Sequence, residues 1–169
     1  MTWKSLKTVL ASLVAVALAA CSPTPSSGPE ATVTVFAAAS LTDALTGLPN
    51  RMALMDELRR RMARNARDGS HLLVAFIDLD HFKSVNDKLG HLVGDRYLQE
   101  VAARLQESLR HNDILARWGG DEFVAVIERL RGDEAVEEAI SRLSTRLRRP
   151  MQLDGHHVIP SASIGVARF

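Results

Sequence analysis

With 169 residues, 46% hydrophobic and 24% charged, the chain has room for one domain with a real core plus short extensions. A formal charge of +1 and an aromatic content of 5% give neither an electrostatic nor a stacking case for nucleic acid as a partner. The single cysteine, Cys21, excludes an internal disulfide framework and a cysteine-rich zinc site.

Residues 1–21 read as a leader. Lys4 and Lys7 form a basic start, and Thr8 to Ala20 is an apolar run too short to span a bilayer comfortably. Leu18-Ala19-Ala20-Cys21 resembles a bacterial lipobox, which implies a diacylated Cys21 and a membrane-anchored chain. The plainer alternative is a secretory signal whose cysteine is incidental. Residues 22–42 open with a Pro/Ser/Gly tether, Ser22 to Glu30, that has nothing to bury. A short strand comes next at Thr32 to Phe36. Ala31 to Leu45 resembles the start of mature periplasmic molybdate-binding proteins, where an Ala-Ala-Ser turn presents a hydroxyl and backbone N–H groups to the oxyanion; Ser40 is the matching residue. Nothing further along continues that likeness, and this length cannot supply the two lobes molybdate binding needs.

From Asp43 another pattern takes over. Thr46-Gly47-Leu48-Pro49-Asn50 is turn chemistry, with Asn50 a helix N-cap. Met55, Leu58 and Met62 then mark the apolar stripe of a helix over 50–66. His71 to Leu79 is a nearly continuous apolar run, fit for a buried central strand. Phe82 to Lys88 suggests a short helix, and Leu89 to Asp95 a glycine-bearing turn into a longer one with Leu98, Val101, Ala102, Leu105 and Leu109 inward. Ile114 to Trp118 and Glu122 to Glu128 flank Gly119-Gly120 as a hairpin. Asp133 to Arg148 is a helix with Val136, Ile140, Leu143 and Leu147 inward, and Val158 to Ala167 a final strand. Without the first helix the order is β-α-β-β-α-β, which predicts an α+β class and a ferredoxin-like sheet with helices on one face.

Asp78 and Asp80 close an apolar strand, two residues apart, and Asp121 and Glu122 come directly after a Gly-Gly turn. Carboxylates brought together from a strand end and a hairpin suit a hard cation such as Mg²⁺, which keeps positions open for phosphate. Strand ends are also acidic simply because they emerge into water. Gly119 and Gly120 let a ligand approach the backbone closely, although an ordinary hairpin turn favours the same pair. Lys83, at a helix start, can help neutralise phosphates or stay solvated. Asn86 and Asp95 have the donors and acceptors to read a guanine edge; without context each is more often a helix-surface or capping residue.

Leu45 to Arg51, Phe76 to Lys83, Asn86-Asp87, Gly90-His91, Gly94-Asp95 and Arg117-Trp118-Gly119-Gly120-Asp121-Glu122-Phe123 together resemble GGDEF-domain diguanylate cyclases, in order and at fitting spacing. Ser163 to Ala167 extends the likeness, which covers residues 43–169. The resemblance implies a nucleotide-cyclase palm-like fold that binds GTP with two Mg²⁺ or Mn²⁺ ions. Two domains meet as a homodimer, and each 3′-hydroxyl attacks the other GTP's α-phosphate to give cyclic di-GMP and pyrophosphate. Carried over by position, Asp78, the Leu79 carbonyl, Asp121 and Glu122 hold metal, and Asp121 and Glu122 are catalytic. Asn86 and Asp95 read guanine, while Phe82, Lys83, Gly119 and Gly120 line the triphosphate. Arg110-His111-Asn112-Asp113 stands where the family has its inhibitory product site, with Arg110 and Asp113 as the matching residues.

Two departures qualify the expectation. The family continues with a helix and strand, resembling Ala-Asp-x-Ala-Met-Tyr-x-Ala-Lys, of which Phe169 stops short; this implies reduced stability and weak or absent turnover. The leader points to a membrane-anchored lipoprotein, whereas GTP chemistry requires the cytoplasm. The chain thus reads as a molybdate-binding-protein leader joined to a truncated GGDEF domain by fusion, assembly error or design. The alternatives are a lipid-tethered sensor, a module that binds GTP or cyclic di-GMP without turnover, and a periplasmic oxyanion-binding fragment.

Overall fold

The computed structural model describes residues 41–68, 71–130 and 132–169. Asn50 caps the first helix, α1 (Arg51–Asp68), by accepting from the N–H groups of Met52 at 3.0 Å and Ala53 at 3.1 Å. The next apolar run forms β1 (His71–Leu79). A double-helix crossover, α2 (Phe82–Leu89) and α3 (His91–Glu107), leads to β2 (Ile114–Gly119) and its hairpin partner β3 (Glu122–Leu130). Then come α4 (Gly132–Leu147), a small hairpin of β4 (Met151–Leu153) and β5 (His156–Val158), and β6 (Ala162–Arg168).

The main sheet runs β2-β3-β1-β6, with every neighbouring pair antiparallel. That is the strand order a β-α-β-β-α-β chain reaches when each crossover passes over one face. β1 is central in the sheet and buried on both faces, which explains its continuous hydrophobicity. Its alternation divides the core. Leu73, Ala75, Ile77 and Leu79 face a large cluster with Tyr97, Leu98, Val101 and Leu105 of α3 and Ala139, Leu143 and Leu147 of α4. Leu72 and Val74 face the opposite way, against Leu54 and Leu58 of α1. Helices therefore cover both faces of the sheet, with α1 the sole helix of the second cluster among the described residues.

Several boundaries differ from the sequence expectation. Of the expected α1 stripe of Met55, Leu58 and Met62, Leu54 replaces Met55 beside the buried Leu58, Met62 packs against the same cluster, and Arg61 turns inward with only 9% of its surface exposed. Ala139, not Ile140, joins Leu143 and Leu147 on the buried side of α4. Helix α3 begins at His91, so Gly94 and Asp95 are helical rather than part of a turn. The expected single last strand is two: β5 ends at Val158, and β6 starts at Ala162 beyond Pro160, which cannot donate to a ladder. Asp154-Gly155 closes the β4–β5 hairpin with both residues at positive φ, 48° and 85°. Among the described residues no helix is long and apolar enough to cross a membrane.

Candidate active site

Strand ends and a hairpin tip converge at one end of the sheet. Asp78 on β1 lies directly across from Glu122 on β3 and from Ser163 on β6. The β2–β3 register slips at Trp118, so Arg117 faces Phe123 and Gly119 faces Glu122. A bulge of this kind bends its strand and re-aims the side chains beyond it. The loop is consequently Gly120-Asp121, one residue beyond the Gly119-Gly120 turn suggested by sequence, and Gly120 adopts φ 50°, a conformation glycine takes without strain. The Leu79 N–H donates to the Asp121 carbonyl at 3.2 Å, tying the hairpin tip to the end of β1.

The charges here oppose one another. Partial desolvation, then the negative charges of Asp121 and Asp80, hold the carboxyl of the exposed Asp78 above its usual range. Burial also raises Glu122, with Asp78 and Asp121 adding to the effect and Arg51 partly countering it. Among the described residues, no three His, Cys, Asp or Glu side chains form a ready-made metal cage. Mg²⁺ is ordinarily held by one or two carboxylates and completed by substrate phosphates. A pair of mutually repelling carboxylates beside an open hairpin fits an ion that arrives with its nucleotide. Asp80 serves another purpose, since β1 has ended at Leu79. Its N–H donates to the Ser161 carbonyl at 2.9 Å, and its carboxylate accepts from the Ser163 hydroxyl at 2.9 Å, pinning the strand end to β6.

A clasp that sequence reasoning missed holds the hairpin from behind. Arg117 Nε and Nη2 donate to the Gly120 carbonyl at 3.0 and 2.8 Å, and Nη1 donates to both Asp43 carboxylate oxygens at 3.1 Å. Burial by itself would raise the Asp43 carboxyl, but hydrogen bonds from the Thr46 hydroxyl and N–H, with Arg117, bring it below its usual value. The Arg117 N–H also donates to the Pro49 carbonyl at 3.0 Å. Alongside, the Arg51 guanidinium lies 4.5 Å from the Trp118 ring centre, and Phe76 meets that ring edge-on at 5.9 Å. The local signal was the Asp-x-x-Thr turn; nothing in the spacing shows that it closes on a residue 74 positions away.

The expected base-reading residues meet where α2 and α3 join. Gly90 forms the elbow at φ 84°. Asn86 packs against Gly94 so closely that a Cβ there would lie 1.8 Å from its Oδ1. Asp95 is the next residue on α3 and is exposed. Phe82 stacks on Tyr97 at 5.9 Å, and burial, with help from the Asp80 charge, pushes the Tyr97 hydroxyl up to about 12. Lys83 is exposed in the first turn of α2. Arg110 and Asp113 sit elsewhere, at the opposite end of β2, roughly 20 Å from the hairpin tip by strand rise. There the Arg110 N–H donates to Asp113 Oδ2 at 2.8 Å, and the Glu128 N–H to Oδ1 at 3.3 Å. Cys21 and Ser40 lie outside the described residues.

A profile of the family described as diguanylate cyclase, GGDEF domain, matches residues 40–169. The chain belongs to the GGDEF family. It is similar to the diguanylate cyclase DgcP of Pseudomonas aeruginosa, with 42% identity over 131 residues that cover 77% of this chain and 19% of DgcP. It is 43% identical over 126 residues to the cyclic di-GMP phosphodiesterase PdeR of Escherichia coli, covering 75% of this chain and 19% of PdeR. This GGDEF chain therefore spans about a fifth of the length of those curated relatives. Among solved structures, it resembles the GGDEF domain of DgcB from Caulobacter crescentus in complex with c-di-GMP. That match has a TM-score of 0.71 and 30% identity, and covers 77% of this chain and 78% of the other. The α+β palm-like fold expected from the sequence is the GGDEF fold.

Proposed function

We propose that this GGDEF domain is a diguanylate cyclase, a nucleotidyltransferase that joins two GTP molecules into cyclic di-GMP and releases two pyrophosphates. The observation that carries the reading is the register that sets Asp78 of β1 directly across from Glu122 of β3 beside the Gly120-Asp121 loop, in a chain that matches the GGDEF family over residues 40–169. A domain keeps like charges together where a bound cation or reacting group uses them. Asp78, Asp121, Glu122 and the Leu79 carbonyl would hold Mg²⁺ or Mn²⁺, which when bound polarises the α-phosphate and lowers the pKa of the attacking 3′-hydroxyl.

The chain's own residues account for the remaining steps. Asn86 donates to O6 or N7 of guanine, and Asp95 accepts from N1–H and the 2-amino group. Phe82, Lys83 and the Gly119-Gly120 backbone lie along the triphosphate. Asp121 accepts the 3′-hydroxyl proton as that oxygen bonds to the α-phosphorus of the second GTP, and the bond to pyrophosphate breaks. One domain presents one GTP, so a homodimer supplies both halves. Arg110 and Asp113 take the product at the separate turn.

A second reading, in which the domain binds GTP or cyclic di-GMP without turnover, draws on the likeness to PdeR, which is a cyclic di-GMP phosphodiesterase by name rather than a cyclase. The reaction requires a compartment that holds GTP, the cytoplasm. A lipid on Cys21 would place the domain elsewhere, and the mass of the mature N-terminus decides between them. Titration with a non-hydrolysable GTP analogue tests the site: affinity should depend on Mg²⁺ and fall in Asp78→Asn. Equal affinity with and without the cation would refute the metal–nucleotide assignment. Titration with cyclic di-GMP should respond to Arg110→Ala and not to Asp121→Ala.

A further inference from the structure

The inward-facing Arg61 is not used by the hairpin chemistry. A largely buried guanidinium is costly unless every donor is employed, and this one is spread over three partners. Its Nε donates to Glu57 one turn back on α1 at 2.9 Å, and its Nη1 reaches Glu128 of β3 at 3.1 Å. The same Nη1 also donates to the backbone carbonyl of Asn112. Asn112 lies inside the Arg110–Asp113 turn. That turn is closed by its own hydrogen bonds, Asp113 N–H to the Arg110 carbonyl at 2.9 Å and Arg110 N–H to Asp113 Oδ2 at 2.8 Å. Its outer fastening comes from the elements that Arg61 joins: Glu128 gives its backbone N–H to Asp113 Oδ1 and its carboxylate to Arg61. The Arg110 side chain is left exposed beside this fixed frame.

We propose that Arg61 is a positioning residue for the Arg110–Asp113 product site: its bond to the Asn112 carbonyl, braced by Glu57 and Glu128, sets the pose in which that turn receives cyclic di-GMP. The inference rests on the reading of Arg110 and Asp113 as the product site. Arg61 need not touch the ligand. It fixes the peptide between the two ligand-binding positions, so the turn loses less conformational freedom on binding. The same helix that begins at the active-site hairpin, with Arg51 over Trp118, thus holds the product turn about three helical turns later.

The test uses the full chain, with isothermal titration of cyclic di-GMP and of a non-hydrolysable GTP analogue. Arg61→Met should weaken cyclic di-GMP binding roughly three- to tenfold, the worth of one hydrogen bond, and leave the GTP analogue within about twofold. Because Arg61→Met removes the more buried of the two guanidiniums that Glu57 and Glu128 share, leaving Arg64 at 3.4 and 3.7 Å, Arg61→Lys is measured beside it. Lysine keeps a charge between the carboxylates but has one donor centre, too few to brace them and the carbonyl together. It should retain the melting temperature and still weaken cyclic di-GMP selectively. Unchanged cyclic di-GMP affinity in Arg61→Lys, or a parallel loss of both ligands, overturns the proposal while Arg110→Ala still abolishes product binding. If Arg110→Ala leaves product binding intact, the product-site reading itself fails and the inference falls with it.

Discussion

Gly94→Ala separates recognition from stability at the α2–α3 elbow, where Asn86 and Asp95 are proposed to read guanine. The new Cβ would lie 1.8 Å from Asn86 Oδ1 and 2.9 Å from its Cγ. Neither contact is sustainable, so the Asn86 amide must leave its present position. The fold itself should notice little. Gly94 has ordinary helical geometry within α3, where alanine is favoured over glycine by about 1 kcal/mol. Displacing one amide into a poorer rotamer costs about 0.5–1.5 kcal/mol. The two effects nearly cancel, giving a melting-temperature change within about 4 °C. Nucleotide recognition should fall, because an amide turned aside forfeits its hydrogen bond to the base, about 0.5–1.5 kcal/mol or roughly two- to twelvefold. The assay is titration with GTP and ATP analogues in Mg²⁺, alongside thermal denaturation. The expected result is weaker GTP binding and a smaller GTP-over-ATP preference, with cyclic di-GMP binding at the Arg110 turn unchanged. A variant that keeps both affinity and preference would refute the role given to Asn86. One that melts more than about 8 °C lower would show that Gly94 supports the fold rather than the amide.

The carboxylate repulsion predicts a stability–activity exchange. Asp78 and Glu122 have folded pKa values above their unfolded ones, so the folded state binds these protons more tightly; the metal-free domain loses stability as pH rises through those folded values. Asp78→Asn should therefore stabilise the metal-free domain at pH 7 by about 0.2–1 kcal/mol, as expected for relief of like charges opposed across strands. The gain should fade as pH falls through those raised values and be gone below the unfolded carboxylate range, and denaturant melts across pH check it. Asp43→Asn breaks a charged bond to Arg117 and should cost about 1–3 kcal/mol. It should also loosen the hairpin, read as faster amide exchange at Gly120 and Asp121. Leu143→Ala removes a fully buried α4 side chain and should cost about 2–5 kcal/mol in denaturant titration while leaving nucleotide contacts in place.

Legibility in the sequence depended on the range of each interaction. The apolar run of β1 and the hairpin were plain because burial on both faces and turn chemistry are local signals. Asp78, Asp121 and Glu122 stood out because strand-end and post-glycine positions mark them individually. The β4–β5 hairpin was missed because a three-residue strand is too short to show a period. Met55 took the place of Leu54 in the expected α1 stripe because only packing against the sheet decides which of two neighbouring rows faces inward. The Arg117–Asp43 clasp and the Asn86–Gly94 contact join residues from separate elements, which no one-dimensional pattern encodes. The bond that the Ser163 hydroxyl donates to Asp80 likewise crosses between strand ends 83 positions apart, beyond any local pattern.

The most direct test of the central claim is an end-point assay of the chain at high concentration with GTP and Mg²⁺, resolving products by mass. The expected products are cyclic di-GMP and two pyrophosphates per molecule of it, however slowly formed, lost with Asp121→Ala and with removal of the cation. GTP that stays bound in a Mg²⁺-dependent manner yet yields no cyclic product would contradict it, leaving a nucleotide-binding module rather than an enzyme.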